Sequence, residues 1–152
     1  MIKLIFMDVD GTLTDGKIYM GNDGEMFKAF DIKDGCGIHD VLPKHNILPV
    51  VITARDSEIV SRRCAELGIT ECYQGVRNKV DKMREIIEKY HCMLDETAYI
   101  GDDIIDLECM KLCGLKGCPA DAVNEVKQVS DYVCNKPGGK GAVREFIEYI
   151  VS

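Results

Sequence analysis

Asp8 and Asp10 stand one residue apart at the end of Ile2-Lys-Leu-Ile-Phe-Met7, a largely apolar run of strand length, and Gly11-Thr12 turns the chain immediately afterwards. Two acids at the end of an apolar strand are costly to bury without a charge partner, and a divalent cation is the most economical one. A nucleophilic carboxylate can share that place with the cation. Three further groups lie along the chain. Pro49-Val-Val-Ile-Thr53 ends in a hydroxyl followed by Ala54 and Arg55, Gln74-Gly-Val-Arg-Asn-Lys79 puts a lysine at a helix start, and Ala98-Tyr-Ile-Gly101 runs into Asp102, Asp103 and Asp106. A lysine in a first helical turn opposes the helix dipole unless an anion lies between its ammonium and the free amides. Phosphate is the obvious anion, and carboxylates from Asp8 and Asp102 with phosphate oxygens suit hexacoordinate Mg²⁺. Taken singly, Thr53 is an ordinary strand-end cap, Lys79 a solvated charge and Gly101-Asp102-Asp103 a turn. Their combination and order carry the reading.

Those four groups need strands that end side by side. Short β-branched or aliphatic runs at 2–8, 48–53, 70–73, 97–101, 114–117 and 131–134 alternate with helical patterns near 35–45, 57–67, 78–91, 103–112, 121–128 and 140–151. Asp56 or Ser57 is placed to cap one of these helices and Gly68 to stop it. The rhythm predicts an α/β fold, a doubly wound parallel sheet with helices on both faces and ligands outside the carboxyl ends of its strands. One stretch departs from it: 17–30, with Gly21-Asn-Asp-Gly24 at its centre, reads as a protruding β-hairpin. Its Tyr19, Met20, Met26, Phe27 and Phe30 either cover the domain's own core or meet another subunit.

The 152 residues are expected to form one domain, 1–152, with the hairpin as its only elaboration. A formal net charge of −7 without any basic run argues against nucleic-acid binding, so an anionic substrate would need locally placed cations. With no leader-like start and no apolar run of spanning length, the chain reads as soluble and cytoplasmic, with no membrane partner. Its 8 cysteines fall mostly in apolar periodic segments and read as reduced packing thiols. Cys109, Cys113 and Cys118 form the only tight group, and they lack both a Cys-x-x-Cys pair and a nearby His. His39, His45 and His91 sit singly at helical positions and read as structural or exposed.

The combination Asp8-Val-Asp10-Gly-Thr12, Thr53, Lys79 and Gly101-Asp-Asp103-x-x-Asp106 resembles the haloacid dehalogenase superfamily of phosphotransferases. By that resemblance Asp8 is the nucleophile that becomes an aspartyl-phosphate. Asp10 protonates the leaving alkoxide and then activates water, while Thr53 and Lys79 hold the transferring phosphoryl group. Mg²⁺ would be bound by Asp8, Asp102 and the Asp10 carbonyl. Asp103 and Asp106 would orient the metal waters and Lys79, with Asp103 an alternative ligand to Asp102. Many members carry a cap domain, but the spacings before Thr53 and between Thr53 and Lys79 leave no room for one. Within the capless branch the chain is similar to the 3-deoxy-D-manno-octulosonate 8-phosphate phosphatase family. The likeness covers the hairpin, Asp34-Gly35-x-Gly37-Ile38, Ile52-Thr53-x-Arg55-x-Ser57, Gln74-Gly75-Val76-x-x-Lys79 and Gly138-Gly139-x-Gly141-Ala142-Val143-Arg144-Glu145. The resemblance implies a phosphorylated keto-deoxy sugar acid as substrate. It also implies a homotetramer in which hairpins associate and a neighbouring subunit covers each site.

The departures are Ala54, where the family commonly has Gly, and an end at Ser152 without a long tail. Arg55 favours the eight-carbon acid over the nine-carbon acid of the same branch, whose phosphatases tend to place an acid there. Arg63, and with it Arg62, could reach a neighbour's site to pair the sugar-acid carboxylate, or could simply be solvated. Lys136-Pro-Gly-Gly-Lys-Gly141 is not a P-loop, because it precedes the last helix rather than following a first strand; it reads as flexible backbone near the phosphate site. Two readings of another class remain, a phosphoaspartate receiver domain and an idle assembly module. A receiver places paired acids after its first strand and the phosphoacceptor after its third, which is not the order here.

Overall fold

A computed structural model describes residues 1–152. Its strands are β1 (Leu4–Met7), β2 (Tyr19–Gly21), β3 (Gly24–Phe27), β4 (Leu48–Ile52), β5 (Glu71–Tyr73), β6 (Thr97–Ile100), β7 (Leu115–Cys118) and β8 (Tyr132–Val133). The helices are α1 (Ile32–Cys36), α2 (Leu42–Lys44), α3 (Glu58–Glu66), α4 (Lys79–Lys89), α5 (Leu107–Leu112), α6 (Asn124–Val129) and α7 (Ala142–Val151). The sheet has six parallel strands in the order β5-β4-β1-β6-β7-β8, and β2 pairs with β3 as a separate antiparallel hairpin. The doubly wound sheet and the hairpin are therefore both present. β1 lies at the centre, where the chain first winds one way to β4 and later returns to β6 on the other side. That reversal opens the crevice in which such sheets bind ligands.

Alternation along the strands assigns the two faces. Ile5, Met7, Val51, Ala98 and Ile100 join a core against Ile38, Leu42, Val60, Val143, Phe146 and Ile147. Leu4, Phe6, Val50, Ile52 and Tyr99 join the opposite core, against Met83, Ile86 and Met110 of α4 and α5. All eight cysteines are free, and five of them are buried, in agreement with packing thiols.

Two helices differ from the sequence pattern. The helix expected from 35 begins at Ile32, because Asp31 accepts hydrogen bonds from the amides of Lys33 and Asp34 at 2.7 and 3.3 Å, and it passes through a π-helical turn at Gly37–Val41 before α2. The helix expected from 103 starts as a 3₁₀ turn, Ile104–Asp106, under the Asp103 cap. At α3 the anticipated cap residue is in place but makes no capping bond. Ser57 holds the N-cap place without bonding the helix, and its hydroxyl instead donates to Glu25 of β3 at 3.3 Å.

The Asp34-Gly35-x-Gly37 segment docks the last helix. Asp34 is buried and accepts from the Arg144 amide at 2.9 Å, so it does for α7 what an N-cap side chain does for its own helix. Burial pushes its carboxyl up to about 6, against the pull of that amide. The Gly-rich element before α7 is likewise fixed in place. The Gly139 amide donates to the Thr12 carbonyl at 3.1 Å, and a Cβ on Gly138 would lie 1.9 Å from the Gly11 carbonyl oxygen. It therefore buttresses the Asp8–Thr14 loop with tightly packed backbone, where sequence reading had suggested flexible backbone.

Candidate active site

Leu4 and Phe6 face α4 and α5, so the next residue of that parity, Asp8, is aimed at the start of α4 as the strand ends. Lys79 is the first residue of α4, and Asn78 caps the helix by accepting from the Asp81 amide at 3.0 Å. The Lys79 ammonium reaches Asp8 Oδ1 at 3.2 Å and Asp106 Oδ1 at 3.0 Å, with all three side chains nearly inaccessible. Asp8 Oδ1 also accepts from the Val9 amide at 2.8 Å. Asp106 is held from every side: Tyr99 donates to Oδ1 at 2.7 Å, and the amides of Asp102 and Asp103 donate to Oδ2 at 3.1 and 3.2 Å.

One ammonium faces more negative charge than it can neutralise. Carboxylate oxygens of Asp8, Asp102 and Asp106 lie within 4.8 Å of one another. Burial pushes Asp8 up to about 7 and the charge of Asp106 adds to this, while Lys79 pulls the other way. Asp102 is pushed up to about 8, first by burial and then by Asp8, Asp106 and Asp103. Burial works against the Lys79 ammonium as well, but Asp8 and Asp106 outweigh it and raise its pKa. Such a cluster is short of positive charge, and a cation relieves it.

The same residues pass a more direct test for a metal. Asp102 Oδ1 is buried and has no hydrogen-bond partner, an acceptor left without a donor where burial makes that expensive. Gly11, at φ +88°, passes so close that a Cβ there would sit 1.8 Å from Asp102 Oδ2, so the loop is cut to admit this carboxylate. An all-oxygen donor set containing few carboxylates suits Mg²⁺. Asp106 belongs to the acidic cluster but already accepts from Lys79, Tyr99 and two amides, which makes it the anchor of Lys79 rather than a ligand.

A cleft of about 210 Å³ opens over this cluster, lined by Asp8, Asp10, Gly16, Thr53, Ala54, Arg55, Asp102, Asp103 and Ile105. Thr53 is buried, its amide donates to the Tyr73 carbonyl at 3.0 Å, and its hydroxyl makes no hydrogen bond within the chain. Arg55 stands half-exposed at the rim, 3.6 Å from Glu25. The arrangement combines a strand-end carboxylate, a fixed ammonium beside it, a free hydroxyl and a cation seat, which together can accept a phosphoryl group from an ester.

Known proteins agree with that chemistry. Residues 51–147 match the family model described as haloacid dehalogenase-like hydrolase. The chain is 44% identical over 150 residues to the 3-deoxy-D-manno-octulosonate 8-phosphate phosphatase of Salmonella typhi, covering 99% of this chain and 79% of that one. The chain belongs to the haloacid dehalogenase-like hydrolases, in the 3-deoxy-D-manno-octulosonate 8-phosphate phosphatase family. Among solved structures, the phosphatase of that name from Yersinia pestis superposes with a TM-score of 0.95 at 41% identity, covering 99% of this chain and 80% of that one. The Moraxella catarrhalis phosphatase, solved with a magnesium ion, a phosphate ion and a KDO molecule, superposes with a TM-score of 0.94 at 40% identity, over 99% of this chain and 86% of that one.

Of the residues singled out for this phosphatase family, Asp8, Asp10, Thr53, Lys79, Asp102 and Asp106 meet in one place, and Arg55 joins them at the rim. Asp103 lines the cleft, but its carboxylate accepts from the Ile104 amide at 2.7 Å and makes no hydrogen bond to Lys79, so of these two acids it is Asp106 that orients the lysine. Arg63 stays outside. Its guanidinium lies 5.5 Å from the Phe30 ring centre and lines a different recess, with Asp31, Asp34, Gly35 and Leu67. Within one chain it therefore packs on the α1 region and does not reach the cleft.

Sequence reading missed Tyr99, Glu25 and Lys28. Tyr99 looked like one more apolar strand residue, although a fully buried tyrosine must find a partner for its hydroxyl, and its position two residues before Gly101 was the available signal. Lys28 and Glu25 looked like ordinary charges on an edge hairpin. In fact the Lys28 side chain is only 2% exposed and its ammonium lies 2.7 Å from Asp10 Oδ1 and 2.9 Å from Glu25 Oε2.

Proposed function

We propose that this protein hydrolyses 3-deoxy-D-manno-octulosonate 8-phosphate to the free sugar acid and phosphate, as a Mg²⁺-dependent phosphoric monoester hydrolase. The observation that carries the reading is Asp8, aimed out of the central strand with the Lys79 ammonium 3.2 Å away and an unpartnered Asp102 oxygen beside it. Asp8 attacks phosphorus in line and its new P–O bond gives an aspartyl-phosphate; the bond to the sugar oxygen breaks. Asp10 gives the departing alkoxide a proton, then takes one from the water that cleaves the aspartyl-phosphate and frees Asp8. Lys79 and the Thr53 hydroxyl hold the phosphoryl oxygens, and Asp106 keeps Lys79 directed at Asp8. Mg²⁺, held by Asp8, Asp102 and the Asp10 carbonyl, supplies charge neutralisation for the phosphoryl group.

Arg55 is the cation at the rim and would pair the carboxylate that both candidate sugar acids carry; an arginine here, where the nine-carbon phosphatases tend to have an acid, favours the eight-carbon substrate. The cleft has no lid of its own. Met20, Met26 and Phe27 of the hairpin and Ile104 and Ile105 beside the cleft are exposed, and a neighbouring subunit of a homotetramer would cover them and the site together. No helix is long and apolar enough to cross a membrane, which accords with work in the cytoplasm on a soluble metabolite.

The test is phosphate release from a panel of sugar phosphates containing both the eight-carbon and nine-carbon keto-acids. The expected result is Mg²⁺-dependent turnover that is fastest on the eight-carbon acid and abolished in Asp8→Asn. Turnover that survives either EDTA or Asp8→Asn refutes the mechanism, and sedimentation showing only monomer refutes the shared lid.

A further inference from the structure

Lys28, on the hairpin, has its ammonium withdrawn from water. It follows directly on β3, its side chain is 2% exposed, and it sits between Asp10 Oδ1 at 2.7 Å and Glu25 Oε2 at 2.9 Å. Glu25 is itself fixed by the Ser57 hydroxyl at 3.3 Å and by Arg55 at 3.6 Å. A connected set of side chains thus runs from Asp10 through the hairpin to the loop that carries Thr53 and Arg55. An ammonium withdrawn from water is tolerated only when it is paired, so Lys28 holds its two carboxylates firmly.

The contact is made with one oxygen of Asp10 only. Oδ1 is taken by Lys28, while Oδ2 accepts no hydrogen bond from the chain and Asp10 lines the cleft. A carboxylate free to rotate offers either oxygen in many directions. One tethered through Oδ1 presents Oδ2 in a single direction. Proton transfer to a leaving oxygen needs that kind of fixed geometry, and a misplacement of about 1 Å can cost about 10²-fold in rate.

We propose that Lys28 is a positioning residue for the reaction: by fixing Oδ1 of Asp10 it directs Oδ2 at the ester oxygen and later at the attacking water. This rests on the reading of Asp10 as the acid and base of the phosphatase. In the first step the proton on Oδ2 passes to the sugar oxygen as its bond to phosphorus breaks and the Asp8–phosphorus bond forms. In the second step Oδ2 takes a proton from water as the water oxygen bonds to phosphorus and the Asp8–phosphorus bond breaks. Lys28 does not line the cleft and acts on the reaction through Asp10. Its effect is therefore selective, large when the leaving oxygen needs a proton and small when it does not.

That selectivity separates positioning from mere support of the hairpin. Lys28→Met is compared with wild type on the best alkyl phosphate substrate, and on 4-nitrophenyl phosphate, whose leaving group departs without a proton. The first step is read as the pre-steady-state release of alcohol or 4-nitrophenolate, with inorganic phosphate inhibition measured alongside. The expected result is a 10- to 100-fold slower release of the alkyl alcohol with KM little changed, set against general acid–base contributions of about 10²–10⁴. The 4-nitrophenolate release and the phosphate inhibition constant stay within about threefold of wild type, and Lys28→Arg, which keeps a cation at Oδ1, regains most of the alkyl rate. Equal loss on both substrates, or no loss on the alkyl ester, overturns the proposal. If Lys28→Met does not fold, Glu25→Gln removes the outer anchor of Lys28 and carries the same test with a smaller, still selective, loss; equal loss on both substrates again overturns it. A wild type that releases phosphate from no alkyl ester defeats the phosphatase reading first, and with it the role of Lys28. A wild type active on alkyl esters alongside an unaffected Lys28→Met defeats the role alone.

Discussion

Replacing Asp106 with asparagine tests how the site is held together. Asp106 is 0% exposed and receives hydrogen bonds from the Lys79 ammonium, the Tyr99 hydroxyl and the amides of Asp102 and Asp103. Asparagine keeps one acceptor oxygen. In one orientation its NH₂ faces the two amides; in the other it faces Lys79 and Tyr99, so two donors lose their acceptor either way. With hydrogen bonds to charged groups contributing about 1.5–3 kcal/mol each, the loss comes to about 3–6 kcal/mol, in the range of about 3–5 kcal/mol for breaking a buried pair. One effect opposes this. The charge of Asp106 also pushes up the pKa of Asp8 and of Asp102, and its removal relieves that repulsion.

Which effect wins depends on whether Asp8 and Asp102 are charged and unneutralised. At pH 6 without metal both are mostly protonated, since burial and neighbouring charge place them at about 7 and about 8, and little repulsion remains to relieve. With bound Mg²⁺ the repulsion is already neutralised. At pH 9 in EDTA it is at its largest and offsets part of the loss. Denaturant unfolding of Asp106→Asn against wild type is therefore expected to show a destabilisation of about 4 kcal/mol at pH 6, and a visibly smaller one at pH 9 in EDTA. A loss below about 1 kcal/mol at pH 6, or one that grows with pH in EDTA, refutes the account of Asp106 as a fully engaged anchor.

Metal removal should expose the same electrostatics in the wild type. Asp8 and Asp102 bind protons more tightly folded than unfolded, so in EDTA stability falls as pH rises from about 4 toward 8, and calorimetry in excess Mg²⁺ should show that slope flattened. Asp10→Asn is expected to slow turnover of a sugar phosphate by about 10²–10⁴-fold while leaving Mg²⁺-dependent phosphate binding in place, as read by inhibition. Arg55→Ala should raise KM for the sugar-acid phosphate by about tenfold or more, the equivalent of one charge-assisted hydrogen bond, without changing KM for a small phosphate ester lacking a carboxylate. Gly138→Ala puts a Cβ against the Gly11 carbonyl and should cost about 1–3 kcal/mol as overpacking, with activity falling beyond the loss of folded protein because the Asp8–Asp10 loop moves.

Local signals were enough for the sheet and most of the site. The short apolar runs of Leu4–Met7 and Leu48–Ile52, buried on both faces, glycine stops such as Gly68, and the strand-end positions of Asp8, Thr53 and Asp102 are each written within a few residues. Because parallel strands of a doubly wound sheet finish at one edge, residues at their carboxyl ends must converge, and Asp8 and Lys79 do. Helix boundaries were less legible where partners distant in sequence intervene. Asp34 caps α7 from 110 residues away, and Ser57 gives up its local capping role for Glu25.

What the sequence determined by itself about this phosphatase is therefore which groups stand at the strand ends and which chemistry they share. The identity of a side chain and its place at a strand or helix end are local facts, and their order along the chain, with the family resemblance, pointed to Asp8, Thr53, Lys79 and Asp102 as one group. Tertiary structure alone decided how charge is distributed among them. It set Lys79 between Asp8 and Asp106, left an Asp102 oxygen without a donor, kept Arg63 on Phe30, and brought Lys28 from the hairpin onto Asp10. Burial and ion pairing depend on which distant segments close around a group, and no spacing along the chain records that.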